Sequence, residues 1–467
     1  MKKSATLLLV FAFSFFRKGT VFGFSTSYLI ITLAGIGLFL LIKAFLSYLN
    51  FTFHILGNDF HLSTGILKKE NITIPKSKIQ NVYIKQNALQ QIINVVQVNV
   101  ETAGDNSTEI EISAISREKA LALKQELFSA RQSNTEDNQT MEVFYKASLK
   151  KLLLEGASQN HIKSFFIILA FIGGLYTNLK DLVERLSWQS YFGDWLHMND
   201  HTFFKAILFN SAIIGALIVV TFLLSLIKTV LLNFNLQVVD NNKTIEITKG
   251  LFNKVSLSLT PSRIQNIEIR TNRIKRYFGL YTMAFKQAMV AKKQQKHFYI
   301  IGLGKDEIEY LSQRLFTGFN NDLERHRPEN YYKRVLLLKS IPLFVISNGI
   351  AYEMFENWFW TINLIAIPYL LFVLHWQLKK AFYTIDDKYL SIGSGGFIGT
   401  KREMLEIHKI QSVSIKQSFF QKRKNIASIK ICTASKIVTI PYVKQQNARA
   451  IMDYLLYQVE SRRLDWM

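Results

Sequence analysis

One segment occurs three times along the chain, and this repetition restricts the fold more than any other feature of the sequence. Residues 80–102, 265–287 and 411–433 align without a gap when the alignment is fixed on three glutamines. Self-similarity over a segment of this length indicates one structural unit used three times. The three anchor glutamines are Gln80, Gln265 and Gln411.

Each copy has the residue pattern of antiparallel strands. Apolar residues such as Ile267 and Ile269 alternate with polar ones, as in a half-buried strand. Asn94, Gly279 and Asn425 then occupy one aligned position. Asn and Gly tolerate positive φ, so a tight turn is expected there, and alternation resumes after it. A helical pattern ends each copy, which predicts a meandering antiparallel sheet of about six or seven strands closed by one helix.

Apolar stretches without acidic residues separate the polar copies. Residues 22–48, 206–227 and 358–378 are each long enough for a membrane-spanning helix, which needs about 20 apolar residues. Shorter apolar stretches at 164–179 and 335–352 precede the second and third of these spans. Each is predicted to be the first arm of a helical hairpin.

The N-terminus is ambiguous between an anchor and a leader. Residues 4–16 follow a basic start and have the apolar core of a signal peptide, but no small-x-small cleavage site occurs before Phe22. A short or in-plane first helix is therefore favoured over cleavage. The predicted organisation combines membrane α-helical hairpins with repeated α+β domains: membrane hairpin 1–48, domain 49–132, linker 133–161, membrane hairpin 162–232, domain 233–320, linker 321–334, membrane hairpin 335–378 and domain 379–467.

Charge predicts the orientation of these domains. The chain has 57 Lys and Arg against 34 Asp and Glu, a net charge of +23. The short connections within the second and third hairpins are acidic, so nearly all of the positive excess lies in the polar domains. The positive-inside rule then predicts that these domains are cytoplasmic and that the chain is a multi-pass plasma-membrane protein. Nucleic-acid binding is not predicted, because its stacking aromatics and fold cues are missing.

Basic residues recur at fixed positions after each anchor. A domain tethered close to a bilayer holds such residues near anionic headgroups, where each contributes about 1 kcal/mol of attraction. These residues form either a surface that binds headgroups or a partner, or an exposed turn with the general basic bias of cytoplasmic segments. The anchor glutamines themselves are expected to cap a bend in the strand rather than to contact a ligand. The candidate lipid- or partner-binding residues are Lys85, Arg270, Arg273, Lys275, Arg276, Lys416, Lys422, Arg423 and Lys424.

Residue patterns for catalysis are weak. His197 and His201 have the spacing of two metal ligands on one helical face, but a solvated loop explains them better without a third ligand. Cys432 occupies an apolar strand position, which favours a buried small side chain over a nucleophile. No Ser-His-Asp or Cys-His pattern was found. The sequence therefore predicts no catalytic, metal or cofactor site and no enzymatic activity.

The order of these motifs resembles a known family. Two strands joined by a glycine turn, a (K/R)-I-Q-x-(V/I)-x-(I/V)-(K/R) strand, an Asn or Gly turn and a strand ending in Thr-Ala-Gly are similar to the bacterial pleckstrin-homology-like (PH-like) domain of the YdbS/YdbT membrane proteins. The first copy keeps the full ending at 101–104, whereas the second has Lys286, Gln287 and Ala288 there. The resemblance implies three PH-like β-rolls, each closed by a helix, in a bacterial plasma (inner) membrane. It does not specify a ligand, since a fold does not determine function.

Two functional classes remain open. The first is a non-enzymatic membrane scaffold whose PH-like domains bind protein partners or anionic lipid, in envelope homeostasis or in defence against membrane-active agents. Membrane lipids and a smaller PH-like membrane protein of the same family are its candidate partners. The alternative is a lipid or small-solute translocator. The apolar spans contain no Asp or Glu, which argues against ion-coupled transport.

Overall fold

A computed structural model describes most of the chain. The described residues are 26–66, 68–102, 109–129, 142–161, 164–170, 203–241, 244–288, 296–319, 323–396 and 398–461. The predicted first helix at 4–16, most of the segment 164–179, and the loop with His197 and His201 lie outside these ranges.

Three of the described helices are long and apolar enough to cross a membrane: Ile214–Asn233, Tyr331–Glu353 and Trp358–Lys380. They coincide with spans predicted from the apolar stretches. A fourth apolar helix begins at Thr26. The named helices of the described residues are α1 (Thr26–Leu49), α2 (Ala88–Ile92), α3 (Arg117–Ser129), α4 (Leu149–Ala157), α5 (Phe203–Asn233), α6 (Arg273–Tyr277), α7 (Lys305–Leu315), α8 (Tyr331–Phe355), α9 (Asn363–Lys380), α10 (Phe419–Arg423) and α11 (Gln445–Ser461). Residues 164–170 are also helical.

Helices α8 and α9 are joined by a 3₁₀ segment, Glu356–Ile362, and by a pair of asparagines. The Asn348 Nδ2 donates to Asn363 Oδ1 at 3.0 Å, and the Asn363 Nδ2 donates back to Asn348 Oδ1 at 2.8 Å. Amide pairs of this kind hold apolar helices together where water does not compete.

All strand pairs in the described residues are antiparallel, in four sheets. The strands are β1 (Thr52–Leu56), β2 (Asp59–Thr64), β3 (Glu70–Pro75), β4 (Ile79–Gln86), β5 (Val95–Thr102), β6 (Glu109–Ser116), β7 (Glu142–Lys146), β8 (Gln237–Asp240), β9 (Ile245–Lys249), β10 (Lys254–Leu259), β11 (Ile264–Asn272), β12 (Tyr281–Gln287), β13 (Tyr299–Leu303), β14 (Phe382–Ile385), β15 (Tyr389–Gly395), β16 (Gly399–Glu406), β17 (Ile410–Lys416), β18 (Ile426–Thr433) and β19 (Ile437–Lys444).

The strand order differs from a continuous meander within each copy. The sheets run β1-β2-β3, β6-β5-β4-β10-β9-β8-β7, β13-β12-β11-β16-β15-β14 and β17-β18-β19. A 3₁₀ turn follows β3, β10 and β16, which are equivalent strands of the three copies. The turns are Lys76–Lys78, Pro261–Arg263 and Ile407–Lys409. The turn separates each copy into two halves, and the second half of one copy joins the first half of the next in a single sheet.

Two compact units make up the chain. The first comprises 1–80 and 125–135 and contains α1 and the β1-β2-β3 sheet, in which Phe60, Leu62 and Ile74 are buried. Gly57 forms the β1–β2 turn with φ of 58°, a conformation that glycine adopts without steric cost.

The second unit contains two hydrophobic cores. In the first, Ile247 and Leu257 pack with Phe285 from the later strands of the second copy and with Leu311 from helix α7. In the second, strands β14–β19 surround buried residues such as Leu390 and Ile429, and α11 contributes Leu455. A C-terminal helix therefore closes each of these cores, and burial of a large aliphatic side chain contributes about 1.5–3 kcal/mol.

The two junctions between copies have the same register. At the first, β4 pairs with β10 and Lys85 is opposite Val255. At the second, β11 pairs with β16 and Arg270 is opposite Lys401. In both cases the residue five positions after one anchor glutamine faces the residue ten positions before the next anchor glutamine.

A polar contact is also repeated at both junctions. The Asn81 Nδ2 donates to Gln287 Oε1 at 3.1 Å across the first, and the Thr433 Oγ1 donates to Asn266 Oδ1 at 2.9 Å across the second. Asn81 and Asn266 directly follow their anchor glutamines, and Gln287 and Thr433 occupy one aligned position of the next copy. The strand register and the asparagine contact of the junction are therefore repeated together with the sequence.

The anchor glutamines of the second and third copies lie at irregularities of their strands. The pairing register shifts between Ile264 and Asn266 and between Ile410 and Ser412. Gln265 is fully buried, whereas Gln411 is exposed. The difference follows from the junctions, because β11 lies between two strands and β17 has one neighbour among the described strands.

A candidate headgroup-binding site

The basic turns predicted from the sequence are short helices with side-chain caps. Asn87 and Ser418 each form a capping box with the glutamine three residues later, which satisfies helix amides that would otherwise have no partner. Asn272 caps α6 in the same way by accepting from the Lys275 amide at 2.7 Å. The three caps occupy one aligned position, so α2, α6 and α10 are equivalent elements.

Each short helix ends in a residue with left-handed backbone geometry. The φ angles are 51° at Asn94, 66° at Gly279 and 53° at Asn425. Non-glycine residues rarely adopt this conformation, and asparagine does so more readily than most. The geometry turns the chain back into the next strand and leaves the helix at the tip of a hairpin.

Seven of the nine basic residues singled out from the sequence are exposed. The other two, Lys85 and Lys275, differ. Lys85 is half-buried, and its Nζ lies 4.8 Å from the centre of the Tyr83 ring. The exposed residues are Arg270, Arg273, Arg276, Lys416, Lys422, Arg423 and Lys424.

Lys275 is buried and does not belong to an exposed basic turn. Its side chain forms an ion pair with Glu155 and donates to Thr282 Oγ1 at 3.2 Å. The aligned position holds Gln421 in the third copy, which donates to Ser428 Oγ at 3.1 Å. The position is therefore an interior capping position, and the lysine there is neutralised by Glu155.

The tips also expose large apolar side chains, which the sequence reasoning missed. Tyr277 and Phe278 are 86% and 46% exposed beside Arg276, and Phe419 and Phe420 are 75% and 67% exposed beside the basic residues of α10. Two consecutive phenylalanines directly after a capping serine were a visible signal. Exposed aromatics next to cations are typical of segments that lie in the membrane interface.

Arg273 connects the second tip to α9, which belongs to a segment long and apolar enough to span a membrane. Its guanidinium lies 4.2 Å from the centre of the Trp376 ring, near the end of α9. Two lysines, Lys379 and Lys380, end that helix. The contact places α6 beside the lysine-bearing C-terminal end of α9.

A cavity of about 460 Å³ lies beside the second copy. Its walls come from α4 and the residues after it, from the C-terminal end of α5, and from strands β11, β12 and β13. Five cationic side chains line it against one carboxylate, Glu155. The cations are Lys228, Arg270, Lys275, Lys286 and Lys296.

Ion pairs position part of this charge. Glu268 is nearly inaccessible and accepts from Arg270 Nε at 2.9 Å and from Lys436 Nζ at 2.7 Å. Burial alone raises the pKa of Glu268, but the hydrogen bond and charge of Lys436 and the charges of Arg270 and Lys401 outweigh it and hold that pKa at about 2. The carboxylate is therefore ionised at neutral pH and orients Arg270.

The positive charges of Lys286 and Lys296 are less fully neutralised by nearby carboxylates. Burial lowers the pKa of Lys286, and the neighbouring cations Arg270, Lys436 and Lys401 lower it further, against the attraction of Glu268. Lys296 is exposed at the mouth of the same cavity. An anion in the cavity would relieve this repulsion, because a negative charge favours the protonated form of a nearby amine.

Comparison with known proteins agrees with this architecture. The family model for the bacterial PH domain matches residues 6–131, 181–317 and 336–459, which together make up most of the chain. The chain belongs to the bacterial PH domain family. The family predicted from the repeat motifs is thereby confirmed, including its three occurrences.

A relative of this bacterial PH domain protein extends over nearly its whole length. The transmembrane protein YdbT of Bacillus subtilis (strain 168) is 23% identical over 461 residues, covering 92% of this chain and 89% of the relative. This bacterial PH domain protein is therefore a membrane protein similar to YdbT, with repeated PH-like domains and apolar helices long enough to span a bilayer.

Proposed function

We propose that the protein is a non-enzymatic, multi-pass scaffold of the bacterial inner membrane whose PH-like domains face the cytoplasm and bind the phosphate headgroups of anionic lipids. Each unit of the scaffold is a membrane hairpin followed by a helix-closed β-roll. The observation that carries this proposal is the cavity with five cations and one carboxylate at the end of the membrane helix α5. Basic pockets beside spanning helices on the cytoplasmic side are suited to anionic headgroups.

The tips support the same function. In the second and third copies, exposed aromatic side chains accompany exposed cations, whereas α2 of the first copy exposes Leu89 and Ile92 without cations. Aromatic rings partition to the interface while cations attract anionic lipid. The second and third copies therefore supply most of the lipid selectivity, and the first contributes apolar contact.

Native mass spectrometry of the purified full-length protein tests the cavity. The protein is released from detergent after incubation with phosphatidylglycerol or with phosphatidylcholine of the same acyl chains. We expect retention of phosphatidylglycerol at least fivefold above phosphatidylcholine, and a K286Q/K296Q variant should lose most of this preference. Excess inorganic phosphate should not compete if the lipid, rather than free phosphate, is the ligand.

A matched variant controls for net charge. K254Q/K305Q removes two exposed lysines of the same copy that do not line the cavity. It should keep the preference for phosphatidylglycerol. Equal retention of both lipids by the unaltered protein, or equal losses in the two double variants, would refute the assignment of the cavity.

A topology reporter tests the orientation. A reporter that is active only in the cytoplasm, fused after α11, should be active, and one inserted between α8 and α9 should not. The reverse pattern would overturn the cytoplasmic placement of the PH-like domains.

A further inference from the structure

Both junctions between copies join equivalent strands. The strand that follows the 3₁₀ turn in one copy pairs with the strand that precedes the 3₁₀ turn in the next copy. These pairs are β4 with β10 and β11 with β16. The register is identical at both junctions, and the asparagine contact is repeated. The junction is therefore a reusable interface whose geometry is fixed by the repeated sequence.

One strand of each kind is left open. Within the described residues, β17 follows the 3₁₀ turn of the third copy and pairs only with β18. In the same residues, β3 precedes the 3₁₀ turn of the first copy and pairs only with β2. Ser412 and Ser414 on β17 are exposed, whereas their counterparts Asn266 and Glu268 are buried in the second junction. An open edge of this kind presents backbone groups that can add another strand.

The register of the internal junctions specifies how β17 and β3 would pair. Applying it to the third copy puts Lys416 opposite Glu70, which are both exposed and have opposite charges. It also puts Ile415 opposite Asn71 and Val413 opposite Thr73. Directly opposed residues of opposite charge stabilise antiparallel pairs.

We propose that β17 of one molecule pairs with β3 of a second copy of this chain, in the register of the internal junctions. The contact is heterologous (head-to-tail), because two different surfaces meet. Such contacts generate rings or longer assemblies rather than a two-fold symmetric dimer. Both edges belong to domains tethered to the same bilayer, which raises their effective concentration and restricts their relative orientation. The occupant of each edge is thus another molecule of the same protein, in a continuation of the internal sheets.

Cysteine crosslinking between two tagged full-length chains tests this pairing. In a C432S background, one chain carries K416C and the other carries E70C, and the two are coexpressed and oxidised in native membranes. We expect a disulfide-linked dimer containing both tags. As a control, K444C on β19, the opposite edge of the same three-stranded sheet, should give at least fivefold less crosslink with E70C.

Charge reversal provides a second readout that does not depend on cysteines. K416E and E70K should each reduce copurification of two differently tagged chains several-fold. Coexpression of a K416E chain with an E70K chain should restore it, because each β17–β3 contact between the two unlike chains then joins opposite charges. Restored copurification cannot come from unfolding of the variants.

Three results would overturn the proposal. One is the absence of the K416C–E70C dimer when each chain is present and folded. Another is a crosslink of equal yield from K444C. The last is capture by K416C of a different, smaller PH-like membrane protein in place of a second copy, which would assign the open edge to another occupant.

Discussion

Lys275 of α6 and Glu155 of α4 form a buried ion pair, in which the carboxylate is 1% and the lysine side chain 11% exposed. The same carboxylate accepts from Thr282 Oγ1 at 3.1 Å. The pair joins a tip of the second copy to α4, which lies before the second copy in the chain. An interaction of this kind couples two elements that are distant in sequence, and it makes the stability of the tip depend on both.

Removal of one member of this pair should be far more damaging than removal of both. We expect E155Q or K275Q to lower the free energy of unfolding by about 3–5 kcal/mol, because each leaves an uncompensated buried charge. The double variant E155Q/K275Q should be much closer to the unaltered protein, since glutamine occupies the position of Lys275 in the other copies. Thermal unfolding in detergent measures the four members of the cycle.

An exposed ion pair provides the control for this cycle. Lys68 and Glu70 are 3.8 Å apart, with side chains 88% and 59% exposed. Their neutralisation should change stability by at most about 1 kcal/mol. A double-variant cycle at Glu155 and Lys275 with coupling as small as that would show that the buried pair is not formed.

Arg273 should hold the second tip against α9. An R273A variant loses the contact with Trp376, which for an exposed cation–aromatic pair is worth about 0.5–1 kcal/mol. We expect faster hydrogen exchange in α6 and little change in α10. R276A, an exposed neighbour whose guanidinium bonds Thr400, serves as the comparison. Equal acceleration in both variants would argue against a specific role for the tryptophan contact.

Glu101 should make the protein less stable as the pH rises. Burial raises its pKa from 4.5 to about 7, in spite of a hydrogen bond from Asn81. The folded state thus keeps a proton that the unfolded state releases above about pH 4.5, so the contribution is complete below that pH and is lost as the pH rises through 7. The loss approaches about 3 kcal/mol.

The variant E101Q should therefore have a smaller difference in melting temperature between pH 5 and pH 8 than the unaltered protein. Glu111, an exposed carboxylate on the neighbouring strand β6, provides the control E111Q. An unchanged pH dependence in E101Q would mean that the carboxyl group is not shielded from water.

The left-handed residue after α10 should tolerate glycine and not alanine. Asn425 has φ of 53°, and its carbonyl accepts from the Gln445 amide at 2.8 Å. N425A should cost about 1 kcal/mol, because alanine lacks the side-chain amide that helps asparagine to adopt this conformation, whereas N425G should be nearly neutral because glycine has no Cβ. Equal stability of the two variants, measured by denaturant unfolding, would contradict the strained geometry.

Much of this architecture could be inferred from local sequence. Alternating apolar residues mark strands such as β11, and asparagine or glycine marks the turns, because both signals depend on neighbours in the chain. Apolar length alone located the helices around Ile214–Asn233 and Trp358–Lys380. The family was also recoverable, since its motif lies within one short segment of each copy.

The partners of strand edges and of buried charges could not be inferred in this way. Backbone hydrogen bonds between β4 and β10 have no residue signature, so the sharing of sheets between copies is invisible in the alternation pattern. Lys275 has the same local sequence context as an exposed lysine, and only the distant Glu155 explains its burial. The cavity likewise combines α4, α5 and three strands that no local pattern brings together.

Each large sheet combines the second half of one copy with the first half of the next. The boundaries of the sequence repeat therefore fall in the middle of a sheet. Truncations cut at the sequence boundaries of a copy would sever a sheet and leave raw strand edges on both fragments. Cuts made at the 3₁₀ turns would keep each sheet intact but would divide a hydrophobic core, since Leu257 and Phe285 pack together from opposite sides of Pro261–Arg263. Neither kind of cut therefore leaves both the sheets and the hydrophobic cores intact.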